Sequence, residues 1–450
     1  MRRARHLAES TPASRERVVD LLRAVAIIAV VLGHWLITVV EYDDTGQLTG
    51  RSALGELTWA YPLTWAVQVM PVFFLVGGYA NAASFTAYRQ RGGDAAGWLQ
   101  DRSDRLIRPT TVLMVTLATC AAGASVVDAP PEQVRRVVWF ASIPLWFLAA
   151  YLTVVLLTPV TYELHRRYGL AVPAVLVALV VLGDAARLAE VPFVATGNYV
   201  FGWLAMHQLG FALRDGRLPA GPRLGLPLLI GGLAVAAILT GPGPYPVTMI
   251  DVSGERPHNM SPPSVALLAV ATAQLGLILL VRRSAERWLQ RRGPWTTVVA
   301  VNAVILTVFL WHISAAALVA GALGGLGLLP TPTVGSAAWW LWRIPWLLLL
   351  AVVLAALVAV FGRFEARTPS RAGDRWRVPA VLRRPAVRSV LTVAGYLAVV
   401  VGLLVNALTP REQPEPLGLP LLALATYLLG AGTLRLLRTK TATRADALAG

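Results

Sequence analysis

Arg23 and His34 stand with ten residues between them in the first apolar run of the chain, RVVDLLRAVAIIAVVLGHW, residues 17–35. Eleven helical steps of about 100° return His34 to within about 20° of the face that carries Arg23, and at about 1.5 Å per residue the two lie roughly 16 Å apart along the axis. The guanidinium then marks the edge of an apolar layer and the imidazole sits well inside it. Hydrocarbon gives an ionisable group no hydration, so a histidine at that depth is a functional candidate by default. The chemistry open to it is proton abstraction from a hydroxyl as a general base, or attack on an acyl group as a nucleophile. The plainer alternative is a histidine that only hydrogen-bonds a neighbouring helix.

A second cluster, Asp101, Asp104, Arg105 and Arg108, falls in DRSDRLIRP, just before another apolar run. On a helix the two arginines are one turn apart, and each aspartate precedes an arginine by four residues, a spacing that suits ion pairs. Pro109 argues against a fully regular helix at that point. Two guanidinium forks can grip a phosphate bidentately, as single lysines cannot. Membrane-edge anchoring with surface ion pairs is the alternative.

The elements that hold these residues are membrane helices. Of the 450 residues 56% are hydrophobic and 14% charged, with a mean hydropathy of +0.61, more apolar surface than a water-soluble chain of this length can hide. A bilayer core of about 30 Å needs about 20 helical residues. Runs of that order fall near 18–40, 62–84, 109–127, 139–160, 170–187, 197–213, 224–240, 263–281, 298–320, 338–361, 388–408 and 417–434. Spanning segments must satisfy their backbone internally, and period-two alternation is absent, so an all-α polytopic fold of about twelve helices is expected rather than a barrel.

Charge tests the segmentation. Cytoplasmic loops retain Arg and Lys, and starting inside, both tails and the even-numbered connections are basic: Arg2, Arg3, Arg5, Arg15 and Arg17, then Arg89, Arg91 and Arg102, then Arg166 and Arg167, and so on to Arg435, Arg438, Lys440 and Arg444. The intervening loops are acidic or near neutral, with Glu41, Asp43, Asp44 and Glu56 in the first and Asp251 and Glu255 in a longer one. Both termini are therefore expected in the cytoplasm of a multi-pass plasma-membrane protein, and the first run is read as an uncleaved anchor. The net charge of +16 serves orientation and lipid headgroups rather than nucleic acid.

One cysteine, Cys120, precludes an intrachain disulfide, and C-x-x-C metal motifs and phosphate-binding glycine loops are absent, which argues for no metal and no ATP-driven pumping. The expected organisation is a cytoplasmic tail over 1–17, a membrane core over 18–361, an Arg/Pro-rich linker over 362–387, an extra helix pair over 388–434 and a tail over 435–450. The Pro- and Gly-rich loop from Gly241 to Ser264 is long enough to cover an outward-facing site. His165 and His258 read as loop residues, and His207 has no assignment.

Taken together, the motifs resemble the integral-membrane acyltransferase 3 family of bacterial O-acyltransferases. A basic residue and a histidine separated by ten residues match Arg23 and His34, with Asp20 ahead of them. An Arg-x-x-Arg signature matches Arg105 and Arg108. Trp146-Phe147-Leu148 resembles the family's Trp-aromatic-Leu segment, and Phe309-Leu310-Trp311-His312 its Tyr-Leu-Trp-His segment, with Phe in place of Tyr. The resemblance covers roughly residues 17 to 360, a ten-helix core.

It implies transfer of an acyl group, often acetyl, from cytoplasmic acyl-CoA to a hydroxyl on an outward-facing acceptor: a glycan, a lipid-linked sugar or an exported metabolite. Arg23, Arg105 and Arg108 would then meet coenzyme A phosphates at the cytoplasmic edge, with the pantetheine arm spanning the rise to His34. His34 is expected to be the base, with Asp20, Trp146 and His312 orienting the site. The competing reading is a proton-coupled transporter or flippase, with His34 relaying protons. A purely structural partner of an envelope-synthesis complex would leave His34 dispensable. The near-exclusive use of Arg over Lys suggests a GC-rich bacterial genome.

Overall fold

The computed structural model describes residues 6, 8–12, 15–44, 46–366, 384–410, 412–413 and 415–437. Arg2, Arg3, Arg5, Arg438, Lys440, Arg444 and the middle of the 362–387 linker lie outside the described residues.

The described chain is almost wholly helical, and ten of its helices are long and apolar enough to cross a membrane. In order the elements are α1 (Arg17–Ile37), the hairpin strands β1 (Thr38–Tyr42) and β2 (Leu48–Ser52), α2 (Met70–Gln90), α3 (Ala95–Val126), α4 (Pro131–Ser142), α5 (Leu145–Tyr168) and α6 (Ala171–Leu188). There follow α7 (Asn198–Arg214), α8 (Pro222–Thr240), α9 (Val265–Leu289), α10 (Arg292–Asn302), α11 (Ile305–Gly325), α12 (Ala337–Ala366), α13 (Pro385–Leu408) and α14 (Leu421–Leu436). Each of the twelve expected runs carries a helix, but that at 139–160 is divided between α4 and α5 and that at 298–320 between α10 and α11. Those at 197–213 and 417–434 become α7, of 17 residues, and α14, of 16.

Three boundaries differ from expectation. The first apolar run does not continue as helix to residue 40: the β-branched series Thr38, Val39, Val40 pairs instead with Gly50, Arg51 and Ser52 in an antiparallel ladder, as stiff χ1 side chains favour. The third run begins 14 residues earlier than hydropathy suggests, because the Asp94 carboxylate caps α3 by accepting from the Gly97 amide at 2.7 Å, and the charged turns behind it are sound helix formers. Pro109 lies inside α3 without ending it. A proline inside a membrane helix is tolerated where neighbouring groups reoccupy the backbone, and the Thr110 and Thr111 hydroxyls donate to the carbonyls of Leu106 and Ile107.

The chain divides into two compact units, residues 1–82 with 160–355 and residues 83–159 with 356–450. In the first, α1 packs against α9, α10 and α11. Val18 joins Leu289, Trp295 and Val298 in an apolar cluster, and Arg17 donates to the Leu289 carbonyl at 2.7 Å. α2 crosses α7 so closely that a Cβ on Gly78 or Gly210 would strike the opposing backbone, the small-residue packing that membrane helices use. The loop 241–264 is pinned down: Trp65 and Gln68 donate to its Val247 and Met249 carbonyls, and its Tyr245 hydroxyl donates to Asp184 of α6 at 2.8 Å.

In the second unit α13 and α14 pack on each other and on α3. The Tyr396 hydroxyl donates to the Leu99 carbonyl and Tyr427 to that of Ile107, while Gln100 donates to Thr392 at 2.8 Å. Buried Arg135 of α4 donates to the carbonyls of Thr409 and Pro410 after α13. The final helix pair therefore holds both flanks of the turn that carries Arg105.

Candidate active site

α1 carries Asp20 and Arg23 in its opening turns and His34 in its last. Asp20 is 5% exposed, which for a carboxylate requires partners. Its main one is Arg15, just outside the helix, which donates through Nε at 2.6 Å and NH2 at 3.0 Å. Arg23 stands farther off at 3.5 Å. That bidentate pair raises Arg15 above the ordinary guanidinium value, chiefly through its hydrogen bond to Asp20. Sequence reasoning placed Asp20 ahead of Arg23 without naming its partner and left Arg15 among the tail cations. The fork geometry of a residue free to fold back from the helix start fits the carboxylate better than the i,i+3 neighbour Arg23 does.

At the other end of α1, His34 meets His312 of α11. His34 Nδ1 and His312 Nε2 are 2.8 Å apart, and the rings are coplanar to 7° with centroids 5.1 Å apart. The centroid separation exceeds the N–N distance by two ring radii, the largest value that N–N distance permits. The imidazoles therefore meet edge to edge in one plane, along a hydrogen bond, and do not stack face to face.

The tautomers follow from the next link. His312 Nδ1 lies 2.6 Å from the Phe309 carbonyl, which can only accept, so Nδ1 carries the hydrogen. In an uncharged ring Nε2 is then a lone pair, and His34 Nδ1 must donate to it. His34 Nε2 is left with its own lone pair. His312 is fully buried whereas His34 is half-buried, so the chain of hydrogen bonds runs from the interior carbonyl to the less buried imidazole.

The frame around the pair is tight. Trp35 Nε1 donates to the His312 carbonyl at 2.9 Å, Trp346 of α12 donates to the Trp35 carbonyl at 3.1 Å, and the Thr38 hydroxyl donates to the His34 carbonyl at 2.6 Å. Arg343 of α12 donates to the Thr38 carbonyl at 2.8 Å. None of Trp35, Thr38, Arg343 or Trp346 was singled out from the sequence. One signal was there for Arg343: it is a lone arginine among the apolar residues of 338–361, and an isolated charge in a membrane run marks function.

Arg105, Arg108 and Trp146 belong to the second unit. Arg108 pairs with Asp104 at 3.8 Å, as the four-residue spacing suggested, while Arg105 is exposed on the adjacent turn. Arg102, one turn earlier, donates to the Tyr151 hydroxyl at 3.1 Å. Trp146 is half-buried beside Phe147.

The remaining histidines lie elsewhere. His207 is buried in α7 and accepts from Asn81 at 3.0 Å. His165 is not a loop residue: α5 extends beyond it to Tyr168, and it is buried 3.5 Å from Asp215. The Arg166-Arg167 pair that suggested a loop caps the helix end, where cations oppose the backbone dipole.

The fold and the paired imidazoles define a class, a polytopic helical membrane protein whose ionisable residues cluster at the ends of its spans. The model of the acyltransferase 3 family, an acyltransferase domain, matches residues 17–362, and the chain belongs to that family and is a membrane acyltransferase. No curated relative and no solved structure matches it.

Proposed function

We propose that this acyltransferase moves an acyl group, acetyl in the simplest case, from acyl-CoA to a hydroxyl on an outward-facing acceptor, with His34 as general base. His34 Nε2 takes the hydroxyl proton as the oxygen attacks the thioester carbonyl. The C–S bond breaks, and the proton passes to the departing thiolate, giving an ester and free coenzyme A. His312 fixes the tautomer and plane of His34 without itself exchanging a proton with substrate, the role an orienting partner plays in catalytic triads. Arg23 and the Arg105–Arg108 turn hold the phosphates of the donor, and Trp146 orients substrate. The protein lies in a bacterial plasma membrane with both termini in the cytoplasm, as its loop charges favour.

The observation that carries this reading is the Phe309–His312–His34 hydrogen-bond chain, which leaves a lone pair on His34 Nε2. A proton-relaying transporter needs a histidine that gains and loses protons in turn along a path, whereas here both nitrogens of His312 and Nδ1 of His34 are committed to fixed partners. The test is binding of acetyl-CoA to the purified protein by equilibrium dialysis. Saturable binding that weakens in Arg105→Ala and survives in His34→Ala is expected. Indifference of the wild type to acetyl-CoA would overturn the acyl-CoA reading in favour of transport.

A further inference from the structure

α1 ends at Ile37 and α12 begins at Ala337, and both have the length and hydropathy of membrane spans, so the segments at these two ends lie where the membrane meets water. Trp339, Trp340, Trp342 and Trp346 stand in the first three turns of α12, as aromatic side chains do at that level. Between these turns and the hairpin lies a cavity of about 140 Å³. Neither His34 nor His312 lines it, which places it outside the reacting centre.

The lining is more polar than apolar, and its charges balance: Glu41 and Glu56 against Arg51 and Arg343. They are not mixed evenly. Arg51 donates to Oε1 of both carboxylates, to that of Glu41 at 2.7 Å, so these three residues share one excess negative charge, and no described residue engages either Oε2. Their side chains are 34% to 47% exposed, so the negative pole faces water.

The positive pole is buried. Arg343 is 6% exposed, stacks on the Trp339 ring at 4.2 Å and donates through Nη1 to the Thr38 carbonyl at 2.8 Å. Its Nε has no partner, and no described residue engages Nη2. The Nε–Nη2 edge is the fork that grips an anion bidentately. Trp339, 1% exposed, adds a second donor without an acceptor, its Nε1. Among the described residues none forms an ion pair with Arg343, and a buried guanidinium without a counter-charge is costly.

Two separated poles of opposite sign select a ligand that is itself bipolar. A lone anion would satisfy Arg343 but meet the carboxylates, and a lone cation would leave Arg343 as it is. At a membrane surface an anion and a primary ammonium joined by a two-carbon link is a phosphoethanolamine group. The size agrees, since a cavity of about 150 Å³ holds a molecule as large as benzene.

We propose that this cavity binds a phosphoethanolamine group, its phosphate on the Nε–Nη2 edge of Arg343 beside Trp339 Nε1 and its ammonium donating to Oε2 of Glu41 and Glu56. Arg343 and Trp346 also donate to the Thr38 and Trp35 carbonyls, so an occupied cavity braces the outer end of α1. Binding here involves no acyl transfer and stands apart from the proposed reaction.

The test uses the full chain in detergent, with tryptophan fluorescence and the thermal midpoint as readouts. Glycerophosphoethanolamine carries both poles, glycerophosphoglycerol only the anion and ethanolamine only the cation. The first should bind at least about tenfold more tightly than either of the others, given the strength of charge-assisted pairing, and should raise the midpoint, as a ligand of the folded state does. Arg343→Gln should remove that advantage over ethanolamine. Glu41→Gln/Glu56→Gln should reverse the preference between the two phosphodiesters, because Arg51 then adds an unneutralised positive charge.

Phosphatidylethanolamine added to the micelles identifies the source: displacement of glycerophosphoethanolamine supports a membrane lipid as the occupant, and retention supports a free phosphoethanolamine compound. Equal binding of the two phosphodiesters to the wild type would overturn the proposal and leave a plain anion site. No binding of any probe would overturn it as well, as would an unchanged preference in Glu41→Gln/Glu56→Gln. These comparisons decide the matter even if Arg343→Gln does not fold.

Discussion

Replacing His312 with Phe removes the acceptor of the His34 Nδ1 hydrogen while filling most of the ring's volume. In the intact protein that hydrogen bond is 2.8 Å long, and the acceptor is itself held by Phe309 at 2.6 Å. Without it, the His34 N–H faces an apolar wall, and an unsatisfied buried donor costs about 1–3 kcal/mol. The ring recovers that energy by rotating or by moving its hydrogen to Nε2, and either change takes the lone pair away from the acceptor hydroxyl. The expected loss in kcat/KM is therefore about 5- to 150-fold, the same free energy expressed as rate. His34→Ala should lose more, about 10²- to 10⁴-fold, the usual contribution of a general base.

Two controls separate positioning from packing. In His312→Gln the side-chain oxygen can stand where Nε2 stood and accept from His34, so activity should stay within about threefold of wild type by retention of that one bond. The double variant His34→Ala/His312→Phe should be no worse than His34→Ala, because residues that act as one unit are not additive. The assay is the initial rate of acyl transfer from acetyl-CoA, measured on protein that remains monodisperse in detergent. Full additivity of the two substitutions, or a His312→Gln as impaired as His312→Phe, would refute the hydrogen-bond argument.

Arg105→Ala and Arg108→Ala should each raise KM for acetyl-CoA about 10-fold or more, the value of one charge-assisted contact, with kcat little changed. A fall in kcat at constant KM would remove them from donor binding. Asp20→Asn should destabilise the protein by about 1–3 kcal/mol through loss of the Arg15 pair, read as a lower thermal midpoint. Arg15→Ala should reproduce most of that loss, and a Asp20→Asn protein with an unchanged midpoint would refute the assignment. Gly210→Leu should abolish accumulation of folded protein, since overpacking at a backbone crossing costs about 1–3 kcal/mol or more, whereas Gly231→Leu, which meets open space on α8, should be tolerated. Equal yields of the two would contradict the close α2–α7 crossing.

How far the sequence reached depends on what each feature rests on. Apolar runs long enough for a bilayer sit on helices because hydrocarbon leaves the backbone no other partner, so α1, α11 and α12 were legible from hydropathy. The hairpin after Ile37 was not, because its β-branched residues are as apolar as the helix they follow. The start of α3 was hidden because the apolar run reaches back only to Pro109 while the helix continues through the charged turns to Ala95. At the site, the Arg23–His34 spacing is local and could be counted along one helix. The partner of His34 could not be counted that way: His312, 278 positions away, entered only through the resemblance of Phe309-Leu310-Trp311-His312, and only tertiary packing sets two imidazole edges in one plane. Asp20 shows the same limit, since its bidentate partner Arg15 reaches the carboxylate from outside the helix. Arg343 was visible as a lone charge in an apolar run, but its lack of a carboxylate partner is a property of the fold alone.

The most direct test of the central claim is a mass-spectrometric comparison of envelope glycans and exported metabolites from a deletion strain complemented with wild type or with His34→Ala. An acyl group present with the wild type and missing with His34→Ala is the expected result, and it would identify the acceptor in the same spectra. Identical acylation in the two complemented strains would contradict a catalytic role for His34.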